Sequence, residues 1–382
     1  MLERKVTDAF KEVYESQPEV LVKAPGRINI IGEHTDYNLG YVLPAAIDYH
    51  IFLGIKKNDL NTYRIYSIDY DRQVEITREE LVPDDSSWLN LIKGIIFQLK
   101  DRITGFDLAF CGNIPSGAGL SSSAALCCGT AFAFSSLFDL KMDKWEIAKT
   151  AQKSEHTFAK VKCGIMDQFA SMFGREDHVL ILDCLTHQYE ESKIDISGYE
   201  LLLIDSGVKH SLNDSEYNAR RDESNEALTR LNDIDSSIEN FRDVDPEFLK
   251  SLKTDEVWWK RANHIVSENL RVKAISEALK THQIEEFGRL LTEGHESERY
   301  NYEITCAETD FLVESLIKYE EILGARQVGG GFGGCILGIA KSGKSDRVIQ
   351  EVNRQYEETF NSSIRQIPVK ISNGCHESKM LF

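Results

Sequence analysis

Short runs of β-branched and aromatic residues, each closed by turn residues, occupy the first third of this 382-residue chain. On that pattern residues 20–23, 41–46, 51–56, 63–68 and 73–77 read as strands. From 88 to 100 the period changes. Leu91, Ile92, Ile95, Ile96 and Leu99 recur at helical spacing. Residues 106–111 form a further strand that runs into a Gly/Pro/Ser turn, and a long apolar stretch, 124–138, follows it. Gly129, Thr130, Ser135 and Ser136 interrupt that stretch, and it falls short of the ~20 apolar residues of a membrane span, so it reads as a buried helix.

A second helix is expected over 144–160 with Asp143 as its N-cap, and a third from 167 to 173. Residues 179–184 and 201–205 are apolar strands, and 215–319 are helical and highly charged. The end of the chain reads as a glycine-rich turn plus strand (327–340), a helix (345–360) and a last strand (364–372). Strands and helices are mixed in both halves, which places the chain in the α/β class. Single cores stop growing at roughly 250–300 residues, so two domains sharing a cleft are expected. A composition shift near 185–200 puts their boundary between 1–195 and 196–382.

Charge narrows the choice of partners. The formal net charge is -18, from 44 basic and 62 acidic residues. Phosphate-rich polymers and anionic lipid surfaces need clustered cations, so neither nucleic acid nor membrane is an expected partner. A nucleotide bound by such a chain must have its phosphates met locally, by backbone N–H groups, a helix terminus or a metal. The eight cysteines contain no C-x-x-C pair, and Cys127, Cys128 and Cys335 lie in apolar runs. They read as reduced, buried thiols of a cytoplasmic protein. The N-terminal fifteen residues are amphipathic and lack an apolar signal core.

Four segments carry candidate chemistry. Residues 113–125, Asn-Ile-Pro-Ser-Gly-Ala-Gly-Leu-Ser-Ser-Ser-Ala-Ala, lie between a strand and an apolar helix. Gly117 and Gly119 permit positive φ, and Ser121, Ser122 and Ser123 fall where a helix start leaves unpaired N–H donors. Such an end holds a phosphate without net positive charge, and a serine there reaches a Mg²⁺ held by the phosphates. A tight turn with a serine cap fits the same letters. In 24–40, Arg27 and Asn29 alternate with Ile28 and Ile30 as on a half-buried strand, and Glu33, His34 and Asp36 crowd the turn that follows. Carboxylates accept hydrogen bonds from sugar hydroxyls, so this corner suits a polyol; a solvated turn is the alternative. Asp167 sits among apolar residues at a helix start, as a catalytic carboxylate or an N-cap, and Glu155 precedes it by twelve positions. Residues 329–334, Gly-Gly-Gly-Phe-Gly-Gly, abut an apolar strand and so read as close backbone packing near a ligand rather than a linker. Residues 338–345 match G-x-x-x-x-G-K-[ST] in form. Ile339 and Ala340 continue the strand through Gly338, however, and the match reads as a surface turn.

Together these segments resemble the GHMP kinases. Pro-Ser-Gly-Ala-Gly-Leu-Ser-Ser-Ser-Ala-Ala is similar to that family's phosphate loop, and Gly-Gly-Gly-Phe-Gly-Gly-Cys to its C-terminal glycine motif. Gly-Arg-Ile-Asn-Ile-Ile-Gly-Glu-His-Thr-Asp-Tyr-Asn and Cys-Gly-Ile-Met-Asp-Gln resemble the signatures of its galactokinase branch. The resemblance implies a two-lobed α/β fold with the active site in the cleft between lobes. It implies transfer of a phosphoryl group from ATP to the anomeric hydroxyl of D-galactose, giving galactose 1-phosphate. A related sugar such as N-acetylgalactosamine or arabinose, or a non-catalytic galactose/ATP sensor, is the alternative. Asp167 would face the sugar hydroxyl with Arg27 as its cationic partner, and Glu33, His34, Asp36, Gly164 and Tyr217 would surround the sugar. Gly117, Ala118, Gly119, Leu120, Ser121, Ser122 and Ser123 would hold the ATP phosphates, Ser123 and Glu155 the Mg²⁺, and Trp88 the adenine. A monomer is expected. Leu91 stands where some relatives carry an aromatic, and Lys160-Val161-Lys162 replaces the Gly-Met-Pro often found before Cys-Gly.

Overall fold

The computed structural model describes residues 2–208 and 213–379. Helix α1 (Leu2–Tyr14) lies against the back of the first sheet through Val6, Phe10 and Tyr14. There follow β1 (Val20–Asn29), β2 (Tyr41–Val42), β3 (Pro44–Lys57), β4 (Tyr63–Ser67), β5 (Arg72–Ile76), α2 (Ser87–Leu99), β6 (Phe106–Gly112), α3 (Ser122–Leu137), α4 (Lys144–Ser154) and α5 (Met166–Phe173). The second half holds β7 (His178–Asp183), β8 (Tyr189–Lys193), β9 (Tyr199–Asp205), α6 (Asn213–Ile234), α7 (Pro246–Ser251), α8 (Val257–Lys280), α9 (Ile284–Ser297) and α10 (Ala307–Leu316). It ends with β10 (Ile322–Val328), β11 (Cys335–Lys341), α11 (Ser345–Phe360), β12 (Arg365–Gln366) and β13 (His376–Glu377).

Three sheets result, in the orders β13-β1-β3-β6-β4-β5, β10-β11-β9-β12 and β2-β7-β8. The α/β class expected from the alternation of periods is what the chain adopts. Helices α2 to α5 cover the first sheet, with Leu91, Ile92, Ile95, Ile96 and Leu99 in its core as their spacing predicts. Asp143 caps α4 by accepting from the Glu146 amide. A second apolar cluster joins the halves, placing Ile28, Ile30 and Leu43 against Leu203, Val328, Leu337 and Ile339. Strand β13 returns from the far end of the chain to pair with Val22 and Lys23 of β1.

Several elements differ from the pattern-based reading. The runs 41–46 and 51–56 are not two strands; β3 runs unbroken from Pro44 to Lys57, because β1 pairs with it along its length across an irregularity at Pro25/Arg27. Strand β1 is not half-buried: Arg27 is 5% and Asn29 0% exposed, since α3 and α5 cover one face and the second half of the chain approaches the other. Strand β8, Tyr-Glu-Glu-Ser-Lys, carries no apolar alternation to reveal it. Strand β10 begins at Ile322, ahead of the turn expected from 327. The strand expected over 364–372 shrinks to Arg365–Gln366 and an isolated bridge from Ile371 to Ile47. The P-loop-like run is a strand and a turn: Gly338 pairs with Ala325 and Leu202, and Ser345 donates to Glu200 Oε1 at 2.7 Å. All eight cysteines are free thiols, and Cys127, Cys128 and Cys335 are buried.

Candidate active site

The end of β1, the loop into α3, the end of α4, the start of α5 and the turn between β10 and β11 converge on one place. Arg27 is the centre of it. Its Nε donates to Asp167 Oδ1 at 2.6 Å and its Nη2 to Asp167 Oδ2 at 2.7 Å, a bidentate pair spanning 140 positions of sequence. Its Nη1 donates to the carbonyl of Gly119 at 2.6 Å, in the loop before α3. Ser121 also donates to Asp167 Oδ2. A guanidinium has five donors and a carboxylate about four acceptor sites, so two donors of Arg27 and one site of Asp167 are left for other molecules.

The loop has the conformation its glycines allow, with φ of 75° at Gly117, 72° at Gly119 and 57° at Ser121, the residue at the N-cap position of α3. Ala118 and Leu120 turn their side chains into the core between the halves. The glycine motif meets this loop directly: a Cβ on Gly329 would lie 3.1 Å from the Gly119 carbonyl. Close backbone approach is therefore what both glycine runs provide.

Two cavities meet here. A small one of about 130 Å³ is lined by Arg27, Glu33, His34, Asp36, Ser123, Glu155, Gly164, Asp167, Tyr217, Gly329 and Gly330, together with Val161, Cys163 and Met166. Every residue named from the sequence for catalysis, sugar or metal lies on its wall. A larger one of about 480 Å³ includes Trp88, Leu91, Ser122 and Ser123, and Ser123 lines both. Tyr70 stacks over Trp88 at its rim, ring centroids 6.3 Å apart and planes 11° from parallel.

Three of the four carboxylates that line the small cavity, Glu33, Asp36 and Glu155, are buried. Burial pushes Glu33 up to about 7, against the pull of Arg326. Burial, with Asp167 nearby, pushes Asp36 up to about 6. Burial pushes Glu155 up to about 7, opposed by a hydrogen bond to Ser123. Burial lowers His34 to about 3, so its imidazole is neutral at pH 7. Its Nε2 lies 3.2 Å from the Gly330 carbonyl, which can only accept, so the proton is on Nε2 and Nδ1 accepts from the Tyr37 hydroxyl at 2.7 Å. Both ring nitrogens are thus committed, and His34 offers the cavity its ring, packed 5.0 Å from that of Tyr217. Glu155 opens a π-helical turn, Glu155–Ala159, that continues α4, a device that recurs at functional sites. The Lys160-Val161-Lys162 segment is tied to α6 next to Tyr217: the Lys162 amide donates to Asn218 Oδ1 at 3.1 Å, and Lys162 Nζ pairs with Asp222.

Family patterns cover the same segments. The galactokinase galactose-binding signature matches residues 8–57, the GHMP kinases N terminal domain 90–175 and the GHMP kinases C terminal domain 275–358. A galactokinase of Thermotoga neapolitana is 43% identical over 356 residues, 92% of this chain and 98% of that one. The chain belongs to the galactokinase family. A galactokinase of Fusobacterium nucleatum is 39% identical over 369 residues, covering 94% of this chain and 95% of its own. The crystal structure of Lactococcus lactis galactokinase complexed with galactose superposes with a TM-score of 0.94 at 33% identity, over 99% of this chain and 100% of that one. A mevalonate kinase shares the GHMP fold at a TM-score of 0.64 and 20% identity, over 93% of this chain and all of its own. The fold is therefore the galactokinase-family version of the GHMP kinase, and the chain is an enzyme of that family. Among the described residues no helix is long and apolar enough to cross a membrane.

Some residues of this galactokinase-family site escape a reading of the sequence. Tyr70 lies in a polar turn between Asp69 and Asp71, with no pattern to mark it. Tyr37 and Tyr302 brace His34 through a hydroxyl pair 2.9 Å apart. Arg326 does leave a signal, a lone arginine in the apolar run Ile322–Val328.

Proposed function

We propose that this enzyme phosphorylates D-galactose at the anomeric hydroxyl with ATP, the sugar occupying the small cavity and the nucleotide the larger. The observation that carries the reading is Asp167, which lines the small cavity with a single acceptor site uncommitted, while Ser123 on the same wall also lines the larger one. Glu33, Asp36 and Tyr217 supply polar walls for the hydroxyls, and Gly164 keeps the floor open beside Asp36. Trp88 and Tyr70 present parallel ring faces for a purine, and the loop 117–123 offers backbone N–H groups and the N-terminus of α3 to the phosphates.

Glu155 and Ser123 suit a Mg²⁺. Glu155 is a buried carboxylate whose hydrogen-bond partners are the uncharged Ser123 and Gln168, so a cation beside it would offset its desolvation. One carboxylate and one hydroxyl, with substrate phosphates and water completing the shell, is the donor set Mg²⁺ favours. When bound there it would neutralise charge on the phosphates.

Phosphoryl transfer has a loose transition state, so positioning and charge matter most. Asp167 accepts a hydrogen bond from the sugar 1-hydroxyl, aims that oxygen at the terminal phosphorus of ATP and takes the proton as the new P–O bond forms and the bond to the ADP oxygen breaks, ADP leaving with the electron pair. The two free donors of Arg27 face the moving phosphoryl group. Because Arg27 also donates to the Gly119 carbonyl, it ties the carboxylate to the phosphate loop.

The test is turnover with a panel of sugars in the presence of Mg·ATP, read as ADP release and by phosphorus NMR of the product. Galactose should give an anomeric phosphate. Release of ADP that does not depend on galactose, or a phosphate at another carbon, overturns the reading.

A further inference from the structure

The side chain of Arg326 lines neither of the two cavities described above, yet it stands directly behind Glu33 on the wall of the small one. It is 0% exposed, and its Nη2 lies 2.6 Å from Glu33 Oε1 and 2.8 Å from Glu298 Oε1. Its Nη1 donates to the carbonyls of Asn29 at 3.1 Å and Ile30 at 2.9 Å. Burying one guanidinium between two carboxylates is expensive in desolvation, and a hydrophobic core would be the cheaper way to join these segments. What the arrangement supplies is direction. Glu33 Oε1 is taken by Arg326 and by the Gly329 amide at 2.9 Å, both at the end of β10. The other oxygen, Oε2, is left for the cavity that Glu33 lines.

Glu298 sits where a designed counterweight would. It opens the π-helical turn Glu298–Tyr302, as Glu155 opens the one at the metal side. The same turn ends in Tyr302, whose hydroxyl reaches Tyr37 and through it His34. The turn therefore braces the sugar wall at two points, through Arg326 and through Tyr302.

We propose that Arg326 is a positioning residue for sugar recognition, fixing the orientation and charge of Glu33 from behind, with Glu298 as the competing acceptor that tempers its hold. The inference rests on the reading that Glu33 binds the sugar. The charged and titratable groups facing Glu33 are Arg326 from β10, Glu298 from the π-turn, Arg27 from β1, and His264 and Glu268 from α8. His264 Nε2 lies 3.1 Å from the Glu33 carbonyl, and Glu268 Oε1 accepts from the Gly32 amide at 3.0 Å. Burial raises Glu33, Arg326 and Arg27 pull it down, and Glu298 raises it. Glu268 is held at about 2 by Arg271 and His264 against the upward push of burial, so it stays charged throughout the working range. His295 Nδ1 stands 3.8 Å from Glu298 on its far side.

The test uses the full chain as wild type, Arg326→Lys and Glu298→Gln. It compares kcat/KM for galactose between about pH 5.5 and 9 with KM for ATP. Arg326→Lys loses the planar fork and should raise the galactose KM by about tenfold, leave the ATP KM within about twofold, and move the acid limb of the profile upward. Glu298→Gln removes the competitor and should move the acid limb downward. A merely structural role would lower stability and leave both limbs in place. If Arg326→Lys does not fold, Glu298→Gln decides, and an unmoved acid limb there overturns the proposal. Wild type without galactose-dependent turnover would instead sink the functional reading, and the two failures are told apart by that control.

Discussion

A methyl group on Gly164 would stand 1.9 Å from Oδ2 of Asp36. Asp36 has nowhere to go, because its Oδ1 accepts from the Tyr37 amide at 2.8 Å and its Oδ2 from the Met166 amide at 3.3 Å. The absence of a side chain at 164 is therefore part of how Asp36 is aimed. Gly164→Ala should raise the galactose KM by about ten- to a hundredfold, the cost of misplacing one charged hydrogen bond, while the ATP KM changes little. Steady-state kinetics with each substrate varied in turn checks this; equal changes in both constants would argue for general collapse.

Asp167→Asn keeps the shape and removes the proton acceptor. We expect kcat to fall by about 10²–10⁴, the usual range of a general base, in a chain that still folds with a lowered melting temperature, because the buried Arg27 loses part of its bidentate pair. Near-normal turnover would remove Asp167 from the chemistry.

The raised carboxylates make a prediction about pH. Glu33 and Glu155 move from 4.5 to about 7 and Asp36 from 3.8 to about 6, so each is protonated more readily folded than unfolded. Their contribution to stability is complete below the ordinary carboxylate values and is lost as pH rises through about 7. His34 and His50, both lowered from 6.5 to about 3 by burial, act in the opposite sense, and their contribution is complete above 6.5. Between about pH 6.5 and 8 the free enzyme should therefore lose stability from the carboxylates, and Mg·ATP should raise the melting temperature more at the upper end. Glu155→Gln should flatten both trends; calorimetry on the variant with the slopes unchanged would contradict the assignment.

Trp88 and Tyr70 belong to the larger cavity alone. Trp88→Ala should raise the ATP KM by about tenfold, the worth of roughly one stacked aromatic contact plus its buried area, with the galactose KM unaltered. Nucleotide titration of wild type should also perturb tryptophan fluorescence, and a silent titration would place the base elsewhere.

Lys344 is exposed on a turn, and Gly338 lies within β11. Lys344→Ala should leave both Michaelis constants within about twofold, as expected of a surface substitution away from the ligands. A large rise in the ATP KM would revive the second nucleotide motif.

Much of this molecule was written locally. The turn at 117–119 needed glycine at positive φ, Asp143 needed only the Glu146 amide three residues on, and the stripe from Leu91 to Leu99 needed only a helical period. The polar residues of the candidate site also clustered in short motifs, so Arg27, Glu33, Asp36, Glu155 and Asp167, which line one cavity, could each be named from the sequence. What depended on distant partners was not. The unbroken course of β3 follows from its pairing with β1, and β8 exists because β7 offers it an edge. Arg326 reaches Glu33 across 293 positions of chain that only folding closes. The sequence determined which groups could do the chemistry, because reactivity and turn geometry belong to single residues and their neighbours. The tertiary structure decided which oxygen of Glu33 is taken by Arg326 and the Gly329 amide and how tightly each buried carboxylate holds its proton, because burial and charge pairing exist only once the two halves have met.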